Sequence, residues 1–99
     1  MSYHTFILEL EKEFLNMEEI FNKEYLKQFM CCKYDNIYLY HFRLGTWIRN
    51  NILIKESEIY KMFTTSGITH TDDMSSILIR LLYIYLKTKD KNTHNIIYE

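Results

Sequence analysis

Apolar residues Phe6, Leu10, Phe14 and Met17 recur at steps of four and three, with Glu9, Glu11, Lys12 and Glu13 between them. That spacing predicts an amphipathic helix over residues 5 to 16, capped by Ser2 or Thr5. A second helix is expected over residues 18 to 31, after a break around Asn16. There Ile20, Phe21, Tyr25, Leu26, Phe29 and Met30 make the apolar face and Lys23, Glu24 and Lys27 point to water. The residues KYDN, 33 to 36, read as a connection in which Asp35 or Asn36 caps the next helix. From Ile37 to about Ile52 the apolar residues Tyr38, Leu39, Phe42, Trp47, Ile48 and Ile52 fall on more than one face, the pattern of a helix surrounded by others. Gly45 inside it costs about 1 kcal/mol relative to alanine, so a second backbone is expected close against it.

A short helix opened by Glu56 or Ser57 carries Ile59, Tyr60 and Phe63, and Gly67 can close it in the left-handed conformation. The clearest start signal follows. Thr69 or Thr71 is placed to cap, Asp72 and Asp73 lie in the first turn where the helix dipole favours acids, and Met74, Ile77, Leu78, Leu81, Leu82 and Tyr85 form a core face. Ile79, Ile84 and Leu86 make its other side apolar as well, so this last helix, about 71 to 88, is expected to be central, either surrounded by the other four or partly covered by a partner. The polar stretch from Thr88, ending in Ile96, Ile97 and Tyr98, is either a flexible tail or a segment that packs back.

Composition narrows the class. No proline and only two glycines leave too little turn chemistry for an all-β chain of 99 residues. The expectation is one all-α domain over residues 1 to 99, a compact bundle of about five helices. A net charge of -1 offers no basic excess, which argues against nucleic acid or an anionic membrane as partner. No apolar stretch is long enough to span a bilayer and no basic leader opens the chain, so a cytosolic, soluble protein is expected. Cys31 and Cys32 are neighbours, a poor geometry for a disulfide, and read as reduced, buried thiols. His4, His41, His70 and His94 show no metal-ligand spacing, so neither a metal nor another cofactor is expected.

Two stretches stand out, HFRLGTWIRNN from His41 and GITHTDDMSSILI from Gly67. Together they resemble a family of short bacterial proteins known only as a domain of unknown function, with the pattern HFxLGxWIRNxxxL followed by GIxHPDDMSxxII. The likeness runs from His41 to about Leu86, roughly half the chain. It matches at His41, Phe42, Leu44, Gly45, Trp47, Ile48, Arg49 and Asn50, and again at Gly67, Ile68, His70, Asp72, Asp73, Met74 and Ser75. Thr71 stands where the pattern has proline, and ILIKES after Asn51 replaces a segment with glycine and tryptophan. The resemblance implies a mostly helical fold and names no activity.

Arg49 and Asn50 end one predicted helix, and Asp72 and Asp73 begin another. A chain reversal would let the guanidinium meet a carboxylate in a bidentate pair while Asn50 closes its helix by hydrogen bonding or by turning left-handed. This clamp of Arg49, Asn50, His70, Asp72, Asp73 and Ser75 is read first as structural. A small enzyme or ligand-binding protein is the alternative, with His41 or His70 as base, Asp72 or Asp73 orienting it, and Ser75 or Cys32 as nucleophile. No glycine-rich elbow or phosphate loop supports it. A non-catalytic binding protein asks for less. Tyr34, Tyr38, Tyr40, Tyr60, Tyr83, Tyr85 and Tyr98 are too many for a small core to hide, and Trp47 joins them as a candidate anchor. The expected partner is a protein, either a toxin, nuclease or defence enzyme neutralised by an immunity-type inhibitor, or a second copy of the chain.

Overall fold

The computed structural model describes the backbone of residues 3–98 and the side chains of residues 4–90. Its helices are α1 (Tyr3–Ile20), α2 (Lys23–Cys31), a 3₁₀ helix (Tyr34–Tyr40), a π turn (His41–Gly45), α3 (Thr46–Asn51), α4 (Glu58–Thr65) and α5 (Thr71–Tyr98). No strand occurs among the described residues, and the fold is the all-α bundle that the periodicity predicts. At 1.5 Å per residue, the 28 residues of α5 match the 42 Å longest dimension of the molecule.

α5 is the central element. Met74, Ser75, Leu78, Ile79, Leu82, Tyr83 and Leu86 are buried along it, and it packs on α2, the 3₁₀ helix, the π turn and α3. The core is completed by Met17 from α1, Phe29 from α2, and Leu44 and Ile48 from the third stretch. Each large apolar side chain so removed from water contributes about 1.5–3 kcal/mol. α1 lies chiefly against α4, where the Phe6 and Phe63 rings meet edge-on at 5.8 Å. It reaches α5 through Phe14 and Tyr85, at 5.2 Å, and through the Lys89–Glu18 ion pair, at 2.7 Å.

Several boundaries differ from expectation. α1 continues through Asn16, whose exposed side chain does not interrupt an amphipathic helix, and ends only at Ile20. The break belongs to Asn22, whose carboxamide oxygen accepts from the backbone N–H groups of Glu24 (2.7 Å) and Tyr25 (3.4 Å). Thr5 lies within the first turn of α1 and Ser2 is outside the described residues. KYDN is not an open connection: the chain is already helical at Tyr34, Lys33 takes the capping position, and no side chain caps it.

The stretch from Ile37 to Ile52 is not buried all round. Ile37, Leu44, Ile48 and Ile52 face the core, whereas Tyr38, Leu39 and Phe42 face water. Passing from 3₁₀ through π to α geometry changes the turn angle twice, so no single 3.6-residue stripe describes it. α4 is as predicted at both ends. Ser57 Oγ accepts from the Tyr60 N–H at 3.1 Å. Gly67, at φ 93°, closes the helix with the Ile68 N–H on the Phe63 carbonyl (2.9 Å) and its own N–H on Thr64 (3.1 Å), a Schellman motif. At the start of α5 the His70 carbonyl accepts the first bond, from Met74 N–H, so Thr69 precedes the cap and Thr71 follows it. α5 runs past Thr88 to Tyr98, since no glycine or proline intervenes; the packing expected of Ile96, Ile97 and Tyr98 concerns side chains outside the described residues.

On α1, burial first and the Glu9 carboxylate second push the Glu13 pKa up, while Lys12 opposes them. A carboxyl raised in the folded state adds stability below the ordinary glutamate pKa and loses it as pH rises through the raised value. Glu13→Gln is therefore expected to raise the melting temperature at neutral pH, with the gain vanishing below the ordinary glutamate range. An equal gain at both pH values would contradict this assignment.

Candidate functional site

The π turn places His41, Gly45 and Arg49 along one face of the chain, four residues apart. A Cβ added at Gly45 would lie 3.1 Å from Arg49 Nη1 and 3.2–3.3 Å from the His41 ring. The glycine thus makes room for two side chains that close over it, and not for a second backbone as expected. Across that gap Arg49 Nη1 lies 3.2 Å from His41 Nε2 and donates to Ser75 Oγ at 3.2 Å. Nη2 donates to Thr46 Oγ1 at 3.2 Å, and the Thr46 hydroxyl in turn donates to the Phe42 carbonyl. Ser75 is fully buried, and its hydroxyl donates to the Asp72 carbonyl at 3.0 Å.

The guanidinium has only donors. His41 Nε2 must therefore accept, which puts the imidazole proton on Nδ1, 3.4 Å from Ser76 Oγ. Hydrogen bonds thus run from Arg49 through His41 to Ser76 in a single direction.

Of the six residues expected in the clamp, the structure brings Arg49, Ser75 and Asp72 together and leaves the other three apart. Arg49 and Asp72 meet through one contact of 3.5 Å, not a bidentate pair; the Arg49 side chain is 26% exposed and that of Asp72 83%. Nη1 has two hydrogens for three acceptors, and the solvated carboxylate is the most distant of them. Asp73 and His70 are exposed and outside the cluster. Asn50 is exposed within α3, with no positive φ; it is Asn51 that bonds back, from Nδ2 to the Trp47 carbonyl at 2.9 Å. Thr46 and Ser76 were not anticipated. Both were legible as helical neighbours, Thr46 three before Arg49 and Ser76 one after Ser75, once the π turn was known.

The other candidate residues scatter. The cysteines are free thiols but not the buried pair expected, since Cys31 is exposed and Cys32 half-buried; Cys32 lies by Tyr83 and Lys87, and burial pushes its thiol pKa up, with Lys87 opposing. Tyr83 is buried rather than available to a partner, because its hydroxyl donates to the Cys32 carbonyl at 2.6 Å and its ring meets Phe29. Tyr60 and Trp47 are half-buried against the core, Trp47 edge-on to Phe21 at 5.6 Å. Tyr34 and Tyr38 are exposed, and the Tyr98 side chain is outside the described residues. Several cations are already engaged: Arg43 stacks 4.3 Å from the Tyr25 ring centre, Lys87 lies 5.0 Å from that of Tyr83, and Lys89 pairs with Glu18. Among the described residues no group of three or more His, Cys, Asp or Glu side chains is placed to hold a metal, and no helix is long and apolar enough to cross a membrane.

Fold and site together define a small all-helical domain organised around an arginine that ties its third helical stretch to its last helix. The chain belongs to the family described as a domain of unknown function, DUF6794, whose model matches residues 9–86. No curated protein and no solved structure matches it.

Arg49→Ala is expected to cost about 1–3 kcal/mol, as for hydrogen bonds to a charged group, and so to lower the melting temperature by several degrees. Asp72→Asn should hardly move it, and equal losses would restore the ion pair as the main bond. Long-range ¹H–¹⁵N spectra of the imidazoles should show His41 protonated at Nδ1 and bare at Nε2. The opposite tautomer would reverse the hydrogen-bond direction.

Proposed function

We propose that the chain is a non-catalytic protein-binding protein of the immunity, antitoxin or inhibitor type, neutralising a protein partner in a bacterial cytosol. One observation carries this reading. Between Tyr34 and Phe42 four large apolar side chains face water: Phe42 is 86% exposed, Tyr38 69%, Leu39 62% and Tyr34 53%. Aromatic side chains of this kind supply most of the binding energy at protein interfaces.

The stretch that carries them stands on a firm base. Behind it, Leu44 and Ile48 are fully buried, Arg49 ties the same stretch to α5, and Arg43 lies on the Tyr25 ring. Anchors held in place before association lose less entropy when they bind. The available chemistry supports binding over catalysis, since His41 has both ring nitrogens engaged, Ser75 is buried and bonded, and burial disfavours the Cys32 thiolate. Two free thiols suit a reducing compartment.

Phe42→Asp tests the reading. As a surface substitution it should change stability by no more than about 0.5 kcal/mol. It should nevertheless abolish co-purification of a stoichiometric partner with the tagged chain, or dissociate a homodimer measured by light scattering. Retention of the partner by the folded variant, or a monomeric parent chain with no partner at all, would refute the proposal.

A further inference from the structure

A cavity of about 300 Å³ opens beside Tyr34 and Tyr38, bordered by His41 and Ser76 but not by Arg49. Its walls are the rings of Tyr34 and Tyr38 and the side chains of Ile37 and Ile79. The Tyr34 ring is braced edge-on against Tyr83 at 5.9 Å. Asp35 and Arg80 complete the lining.

The direction of the hydrogen bonds determines what this end of the cavity offers. Arg49 can only donate, so His41 accepts at Nε2 and donates from Nδ1 to Ser76 Oγ. With its oxygen so engaged, Ser76 keeps its own hydroxyl hydrogen for the cavity, and among the described residues that hydroxyl has no other partner. Arg80 adds a second donor and forms no ion pair among the described residues. A carboxylate supplies two acceptor oxygens and the matching charge. Asp35, also without an ion pair, opposes the carboxylate by its own charge and disfavours a second negative charge on the ligand more strongly still. The volume is at the small end of ligand sites, room for one ring or branched chain between the tyrosines.

We propose that this cavity binds a monocarboxylate with an aromatic or branched aliphatic body, its carboxylate held by the Ser76 hydroxyl and the Arg80 guanidinium. The carboxylate belongs either to a free small molecule or to the C-terminus of a peptide. The site shares Tyr34 and Tyr38 with the protein-binding reading, but its test uses the isolated chain, so either can fail alone.

The test titrates the ¹⁵N-labelled full chain with 3-phenylpropanoate, with 3-phenylpropanamide, and with N-acetyl-Gly-Gly-Phe bearing a free carboxylate. Saturable shifts at Ser76 and Arg80 are expected with the free acid, with the amide at least about ten-fold weaker. Arg80→Gln and Ser76→Ala should each weaken the acid by about ten-fold without loss of folding, as Arg80 is exposed and alanine favours a helix. Asp35→Asn should tighten it. Binding of the peptide acid assigns the carboxylate to a chain terminus, and binding of the free acid alone assigns it to a small molecule; both uphold the site. Equal affinity for acid and amide, no saturable shift with either acid, or unchanged affinity in both donor variants would overturn it.

Discussion

The Arg49 guanidinium is the interaction on which this small fold turns. Through Ser75 it reaches the buried face of the central helix, and through His41 and Thr46 it gathers its own stretch of chain around Gly45. A positive charge three-quarters withdrawn from water is expensive unless its donors are met. Here acceptors from both elements meet them, and no buried side-chain polar atom among the described residues lacks a partner. The glycine is the steric condition for this arrangement, since any Cβ would crowd both side chains.

The same arrangement accounts for the irregular path between Tyr34 and Asn51. A uniform α-helix would keep one buried stripe. By tightening to 3₁₀ and then widening to a π turn, the chain brings His41 over Arg49 while Leu44 and Ile48 still reach the core. The outward face is left with Tyr38, Leu39 and Phe42, which contribute little to folding as they stand. Packing, polar satisfaction and the exposure of these side chains are therefore consequences of one backbone geometry. The bond from His41 to Ser76 continues this geometry to the edge of the cavity.

Much of this was legible from residues 3 to 31 and 57 to 86. The faces of α1, α2, α4 and α5 follow from spacing, because a regular helix converts sequence interval directly into direction. Ser57 and Gly67 announced the ends of α4 through chemistry local to the turn. Arg49 and Ser75 were legible as a candidate clamp because both fall at predicted helix ends or first turns.

The middle segment was not legible in this way. Its 3₁₀ and π turns have no distinctive spacing of apolar residues, so the orientation of Tyr38 and Phe42 depended on how tightly each turn was wound. Partner choice also lay outside local pattern. Asp72 is the nearer match to Arg49 by charge, yet it remains in water while the neutral Ser75 and His41 take the shorter contacts. Sequence alone determined an all-helical chain with its central helix last. Which acceptors close on the arginine, and which rings are left in solvent, followed from packing, where a rotation of one residue moves a side chain by about 100° around the helix.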